Sequence, residues 1–416
     1  MNKIPRGIPC LAVFILFFGY LSSVMGFTNM LNTIMRTAHD LLLNTVFYLM
    51  AMCVLTAALS RVFSVFGVVD LLQRILKPVL RPLYGLPGVS SAGALMTFLS
   101  DKPAIISVAK NPQFARYFKR YQHISLVNFA GSFAMGLLVI IFMMGHGYYT
   151  EPLYGLAGAV CGSVIATRLM QRLVLKEHPE YLDQDVIGPR RNQDSNFKIQ
   201  GVEAADAQSS MVNGQCSMEN GQWSKYETHP DEPGQTLFIR ILDALLDGGK
   251  TGVEVGLAII PGVLIISTLV MMLTFSGVPA PDGHGVVYTG EAYQGTELLP
   301  VMAGKMSFLL DWLFGFKSSE LVAFPITALG TVGAALGLVP EMMKAGIIDS
   351  NAIAVFTAMG MCWSGFLSAD AATLDSLGYR HFISRSFACT FIAGLSAGII
   401  THWLYFIATY LCASIG

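Results

Sequence analysis

Long apolar runs separated by short basic clusters are the first pattern along this chain. A helical bilayer crossing takes about 20 mostly apolar residues, and about seven runs approach that length. They are residues 8–26, 41–60, 124–144, 153–175, 253–275, 352–367 and 387–412. One stretch has a different period. Val68, Val69, Leu71, Leu72, Ile75, Leu76, Val79, Leu80 and Leu83 recur at helical spacing, with Asp70, Gln73, Arg74, Lys77 and Arg81 between them. This spacing predicts an amphipathic helix lying in the membrane interface. Residues 302–314 form a weaker copy, and 30–35 and 237–246 are amphipathic lead-ins. Each interfacial helix is followed by a small-residue apolar segment, 85–110 and 315–340.

Basic residues set the direction of each crossing, because Lys and Arg concentrate on the cytoplasmic side. Arg61, Arg74, Lys77 and Arg81 form one such cluster, and Lys110, Arg116, Lys119 and Arg120 another. The link at 145–152 has no Lys or Arg and reads as outside, whereas Arg168, Arg172 and Lys176 close the next run inside. Run 253–275 then leads outward, 352–367 returns towards Arg380, His381 and Arg385, and 387–412 ends outside. Lys305, Lys317 and Lys344 fall on the outer side and run against the rule. At the start, Lys3 and Arg6 precede an apolar run closed by Ser22, Ser23 and Gly26. That run is longer than the apolar part of a usual secretory signal, so it reads as a retained signal-anchor or first span. The expectation is a multi-pass protein of the cell (inner) membrane, with a cytoplasmic N-terminus and an outer C-terminus.

Arg81 and Lys110 flank the segment 85–110 and both belong inside. A single crossing would separate them; a re-entrant hairpin of two half-helices keeps them together. Its turn is expected at Ser100, Asp101, Lys102 and Pro103, where proline suits the first turn of a second half-helix. Sliding the chain over itself by 230 positions (310 minus 80) lays Leu80, Leu83, Tyr84, Gly85, Thr97 and Leu99 on Leu310, Leu313, Phe314, Gly315, Thr327 and Leu329. One position fewer lays Gly131 and Gly136 on Gly360 and Gly365. Ala157-Gly158-x-x-x-Gly162 also matches Ala393-Gly394-x-x-x-Gly398, a small-residue pattern that serves close helix packing. The second hairpin therefore turns near Gly330 and Thr331. The first half begins its core by crossing inward and the second by crossing outward, so the repeats are inverted, an arrangement common among secondary transporters. The predicted fold is an all-α integral membrane protein, with about seven transmembrane helices plus two re-entrant hairpins. Its divisions are 1–27, a first span; 28–176, the first repeat; 177–235, a polar segment read as a flexible cytoplasmic insert; and 236–416, the second repeat.

Composition narrows the class further. Hydrophobic residues make up 53% and charged residues 13%, against about 25% charged in a soluble domain. A net charge of −1 gives no reason to expect a nucleic-acid partner. The seven cysteines show no metal or redox spacing and read as buried thiols. No phosphate loop, metal cluster or nucleophile–base pair supports an enzyme or a resident cofactor, and sodium or a proton is left as the coupling ion of a transporter.

Ionisable and hydroxyl groups at membrane depth are the candidate site. Asp101 leads, since an intramembrane charge is costly and usually functional; its bland reading is an N-cap or a local pair with Lys102. Ser90, Ser91, Thr97, Ser100, Thr327 and Thr331 can hydrogen-bond a solute, or their own helix backbone instead. Ser319 and Glu320 open the second hairpin, Asn128 lies in one span, and Ser364 and Asp370 lie in or just beyond its repeat partner.

The order span, interfacial helix, hairpin, span, span, followed by its inverted copy, resembles the core of concentrative nucleoside transporters. The runs 71–109 and 298–342 also look like the Gate, or nucleoside recognition, domain that those transporters share in outline with the ferrous iron transporter B family and spore-maturation membrane proteins. The resemblance implies alternating access, with the hairpins and the spans after them moving as a unit against a scaffold that also forms a homo-oligomer interface. It implies solute contacts from Ser100, Asp101, Asn128, Ser319, Glu320 and Thr331. No clear Asn/Gln/Glu-rich tip of a nucleoside site stands at the hairpin turns, so the partners are read as the bilayer and a small polar solute of which a nucleoside is one candidate. A spore-maturation-like chain would instead be a non-transporting membrane organiser or regulatory component.

Overall fold

Most of the apolar runs become helices, and many of these helices are interrupted. The computed structural model describes residues 7–102, 105, 109–110, 112–186, 216–219, 222–225, 237–280 and 285–415. Among the described residues, four helical stretches, some with internal breaks, are long and apolar enough to cross a membrane: Phe27–Phe63, Arg120–Gly145, Glu151–Glu177 and Arg380–Leu411. Of the other apolar runs, 8–26 forms one helix, and 253–275 and 352–367 are divided by a π turn and a left-handed residue. The chain is an all-α, multi-pass membrane protein.

The first half opens with α1 (Gly7–Met25) and α2 (Phe27–Asp40), joined at Gly26, whose φ of 80° suits only glycine. A π segment, Leu41–Val46, links α2 to α3 (Phe47–Val65). The amphipathic period at 68–83 becomes α4 (Val68–Tyr84), with Leu71, Ile75 and Val79 exposed, as befits a helix against lipid. α5 (Ser90–Leu99) is the first arm of the first hairpin, and Gly93 lets Ile105 of the returning arm approach it. Pro103, the expected start of that arm, lies outside the described residues.

The run at 124–144 is not one straight span. It splits into α6 (Arg120–Gly131) and α7 (Gly136–Gly145), with Met135 left-handed at φ 54°. α8 (Glu151–Glu177) follows and continues into the polar segment. There a 3-10 turn at Pro179–Leu182 leads back onto α6, Arg120 N–H donating to the Gln184 carbonyl at 3.0 Å and Val186 N–H to that of Phe118 at 3.2 Å. Further on, β1 (Cys216–Glu219) pairs antiparallel with β2 (Gln222–Lys225). The polar segment thus contains structure that its composition did not announce.

In the second half, α9 (Leu237–Gly262) merges the lead-in with the span. Pro261 removes a backbone donor, and the helix widens into a π segment, Val263–Ser267, before α10 (Thr268–Thr274). The short strands β3 (Val278–Pro279) and β4 (Val286–Val287) carry the connection, whose far end packs on α2. Asn29 Nδ2 donates to the Tyr288 carbonyl at 2.7 Å, Arg36 pairs with Glu291 at 2.5 Å, and the Tyr293 hydroxyl donates to Asp40. Burial first, then Asp40, holds the Tyr293 phenol above its ordinary pKa, so it stays a donor. The counterpart of α4 is two helices, α11 (Leu298–Gly304) and α12 (Ser307–Phe314). The second hairpin has a 3-10 turn at Ser319–Val322, then α13 (Ala323–Gly330), α14 (Val332–Leu336) and α15 (Val339–Lys344). The next run splits as its partner does, into α16 (Ser350–Trp363) and α17 (Phe366–Ser376), with Gly365 left-handed at φ 55°. α18 (Ile383–Ile415) closes the chain.

Two antiparallel seams hold the halves together. On α9, Gly248, Gly252 and Gly256 face Ala57, Val54 and Met50 of α3, and a Cβ on Gly248 would stand 2.6 Å from the Ala57 carbonyl oxygen. On α8, Gly155, Gly158 and Gly162 face Ala354, Thr401 and Ala393, and a Cβ on Gly162 would come 2.5 Å from the Ala393 oxygen. Hydrocarbon offers no hydrophobic drive between helices, so backbone-close packing at small residues supplies the association. The repeat also shows in atoms. Gly85 and Gly315 end the interfacial helices at the same left-handed φ, 66°. Gln122 Nε2 caps the Gly85 carbonyl at 2.8 Å, and Asn351 Nδ2 caps that of Phe314 at 2.8 Å. Ser132 and Cys362, 230 positions apart, touch each other across the two helix breaks.

Candidate functional site

The hairpin tips meet the broken helices. α5 ends at Ser100, whose φ of −133° and ψ of −117° are not helical, and the second hairpin breaks at Thr331, with extended backbone (ψ 139°) between α13 and α14. Each tip lies against the α6–α7 or α16–α17 pair of its own half. A Cβ on Gly136 would collide with Phe98, and one on Gly360 would come 3.0 Å from Val332. The two breaks also adjoin each other, since Met361 stands 2.7 Å from that same Cβ position on Gly136. Non-helical backbone within a membrane fold is tolerated where protein buries it or a cavity exposes it.

A buried polar cluster lies at this junction. Lys102, at the first hairpin tip, places Nζ 3.2 Å from Asp370 Oδ1, with the two side chains 3% and 1% exposed. Asp370 Oδ2 accepts from Ser386 Oγ at 3.1 Å and from Thr390 Oγ1 at 2.8 Å. Asn128 Nδ2 in turn donates to Thr390 Oγ1 at 2.8 Å and to Ser386 Oγ and the Ser386 carbonyl at 3.1 Å. The amide orientation follows from the chain of donors. Both hydroxyl protons go to the carboxylate, so the hydroxyl oxygens accept and the Asn128 nitrogen donates. Asn128 Oδ1 remains buried without a partner. Gly131, one turn beyond Asn128, borders the pair: a Cβ there would stand in ordinary contact, 3.5 Å from Lys102 Cε and 3.6 Å from Asp370 Oδ1. The Phe366 ring closes another side, 6.0 Å from Nζ.

Of the residues singled out in the sequence, Asn128 and Asp370 come together here. Asp101 does not pair with the Lys102 ammonium. Its Oδ1 accepts from the Lys102 backbone N–H at 2.7 Å, which frees the ammonium to reach Asp370. Ser90, Ser91, Thr97 and Thr327 each donate to a carbonyl of their own segment, at 2.7, 2.9, 2.8 and 2.8 Å. Their protons are committed, leaving lone pairs alone for a guest. Ser100 and Thr331 mark the hairpin turns, and Ser364 is buried at the α16–α17 break. Ser319 and Glu320 stand at the root of the second hairpin, where Glu320 accepts from Ser318. Sequence reasoning missed Lys102, Ser386 and Thr390. Lys102 looked committed to its neighbour Asp101, while Ser386 and Thr390 looked like ordinary small residues of a span. Their one signal was spacing, for residues four apart share a helix face.

No family model matches this chain, and no curated protein matches it. Among solved structures, CNTnw in an inward-facing substrate-bound state is similar at 14% identity, with 96% of this chain and 86% of that chain covered and a TM-score of 0.46. A doubly substituted CNTnw in an outward-facing state gives 14% identity, 96% and 87% coverage and a TM-score of 0.47. A singly substituted CNTnw in an intermediate state gives 14% identity, 85% and 74% coverage and a TM-score of 0.47.

Proposed function

We propose that this chain is a secondary transporter that moves a small polar solute across the cell membrane by alternating access. The observation that carries this reading is the convergence of a hairpin tip and a broken helix from each half on one buried junction that holds a polar cluster. Such inverted repeats let one set of elements rock against the other around a site that both faces share. In this reading the hairpins with α6, α7, α16 and α17 move, and α3, α8, α9 and α18 form the scaffold. Asp101 and Thr331 at the turns and Glu320 at the hairpin root are the groups proposed to meet the solute, and nucleosides are the first class to test.

Reconstituted protein is expected to take up its solute saturably. Asp101→Asn and Glu320→Gln are expected to abolish uptake at normal expression, and wild-type rates in both would sink the site assignment. A thermal-shift screen against nucleosides, nucleobases, amino acids and organic acids, with and without sodium, identifies the cargo. A second reading, a non-transporting membrane organiser, draws on the hydroxyls of Ser90, Ser91, Thr97 and Thr327, all bonded within their own segments. It predicts no ligand in that screen and no effect of hairpin polar substitutions on the phenotype.

A further inference from the structure

The ion pair at the first hairpin tip is built only once. Adding 230 to Lys102 gives Val332, and subtracting 230 from Asp370 gives Ile140. The pseudo-symmetry that repeats the helix breaks and the glycine caps is therefore abandoned at these two positions. Whatever the pair does, it is not needed for the shared fold, which the second half builds with two apolar residues.

The ammonium meets one oxygen of Asp370, and the groups gathered around that carboxylate have the chemistry of a small-cation site. Asp370 supplies a carboxylate, Ser386 and Thr390 supply hydroxyl oxygens, and Asn128 keeps a buried amide oxygen with no partner. Hard cations select oxygen sets of this kind. Lys102 Nζ already sits at 3.2 Å from Asp370, so the single negative charge is neutralised from within the chain. A free cation entering beside the ammonium would face a like charge in a medium of low dielectric constant, which is strongly unfavourable.

We propose that Lys102 is a tethered cation: its ammonium supplies, against Asp370 at the hairpin tip, the positive charge that a free sodium ion would otherwise bring to the oxygens of Asp370, Ser386, Thr390 and Asn128. This deepens the transport reading and rests on it for its meaning, since the tether makes this junction independent of a sodium ion. The corollary is that deleting the ammonium uncovers a sodium site.

The test is the unfolding temperature of the purified full-length protein in sodium chloride and in choline chloride at equal ionic strength. The wild type is expected to show no sodium-specific shift. Lys102→Ala is expected to be stabilised saturably by sodium, by about 3 °C or more at high occupancy, and Lys102→Ala combined with Asp370→Asn is expected to lose that shift. Where the alanine variant does not purify folded, Lys102→Gln carries the same expectation. A sodium shift in the wild type equal to that of the variant overturns the proposal, and so does a folded Lys102 variant indifferent to sodium. Uptake is not read at any point, so failure here leaves the transport reading standing, and a chain that moves no solute can still pass.

Discussion

At the scale of single residues, Lys102 and Asp370 dominate the energetics of the junction. Removing one partner of a buried pair leaves an uncompensated charge, which costs about 3–5 kcal/mol, whereas replacing both by apolar groups is often close to neutral. Lys102→Met and Asp370→Leu are each expected to destabilise the protein by about that amount, and the double variant by much less than the sum. Denaturant unfolding in mixed micelles supplies the cycle, and additive single effects would show that the two side chains do not interact. The sequence already marked Asp370 and Asn128 as polar groups out of place in an apolar run. It did not show that Lys102 reaches across to the other half, because adjacency in the chain pointed to Asp101. The backbone decides otherwise: Asp101 bonds the Lys102 N–H and leaves the ammonium free.

At the scale of elements, glycine does two separate jobs. In the seams it lets backbones touch, so Gly158→Val would drive a side chain into Thr401. Overpacking of that kind costs about 1–3 kcal/mol, and loss of the folded monomodal peak in size exclusion is the expected sign. At the ends of α4 and α12 the glycine instead turns the chain left-handed, and an amide from the helix beyond the hairpin, α6 or α16, caps the freed carbonyl. Gln122→Ala and Asn351→Ala are each expected to lower stability by about 1 kcal/mol, read as similar drops in unfolding temperature, since the two caps are equivalent in the repeat. Interfacial helix, hairpin and paired glycines were all legible as period and register. The breaks inside α6–α7 and α16–α17 were not. Met135 occupies a left-handed position that sequence would assign to glycine, and nothing in an unbroken apolar run marks where the helix stops. Gly365 makes the matching left-handed turn in the second half without strain, but the sequence register lays it on Gly136, one residue away.

At the scale of the whole molecule, the proposed topology places the insert in the cytoplasm and the C-terminus outside. A reporter enzyme active only outside the cell is expected to be active when fused after Gly416 and silent when inserted near residue 205. The opposite pattern would invert the whole orientation. What the sequence determined by itself is the set of long-range regularities: apolar run lengths matched to the bilayer, basic clusters that forbid a crossing at 85–110, and a repeat that places two halves in opposite directions. Those follow from solvent alone, because lipid and water act on every residue according to its polarity and leave a readable period. The tertiary structure alone decided which polar groups meet. The cluster draws Asn128 from α6, Lys102 from a hairpin tip, Asp370 from α17, and Ser386 and Thr390 from α18. Residues up to 268 positions apart (370 minus 102) are brought within hydrogen-bond reach by helix packing and chain breaks that leave no local trace.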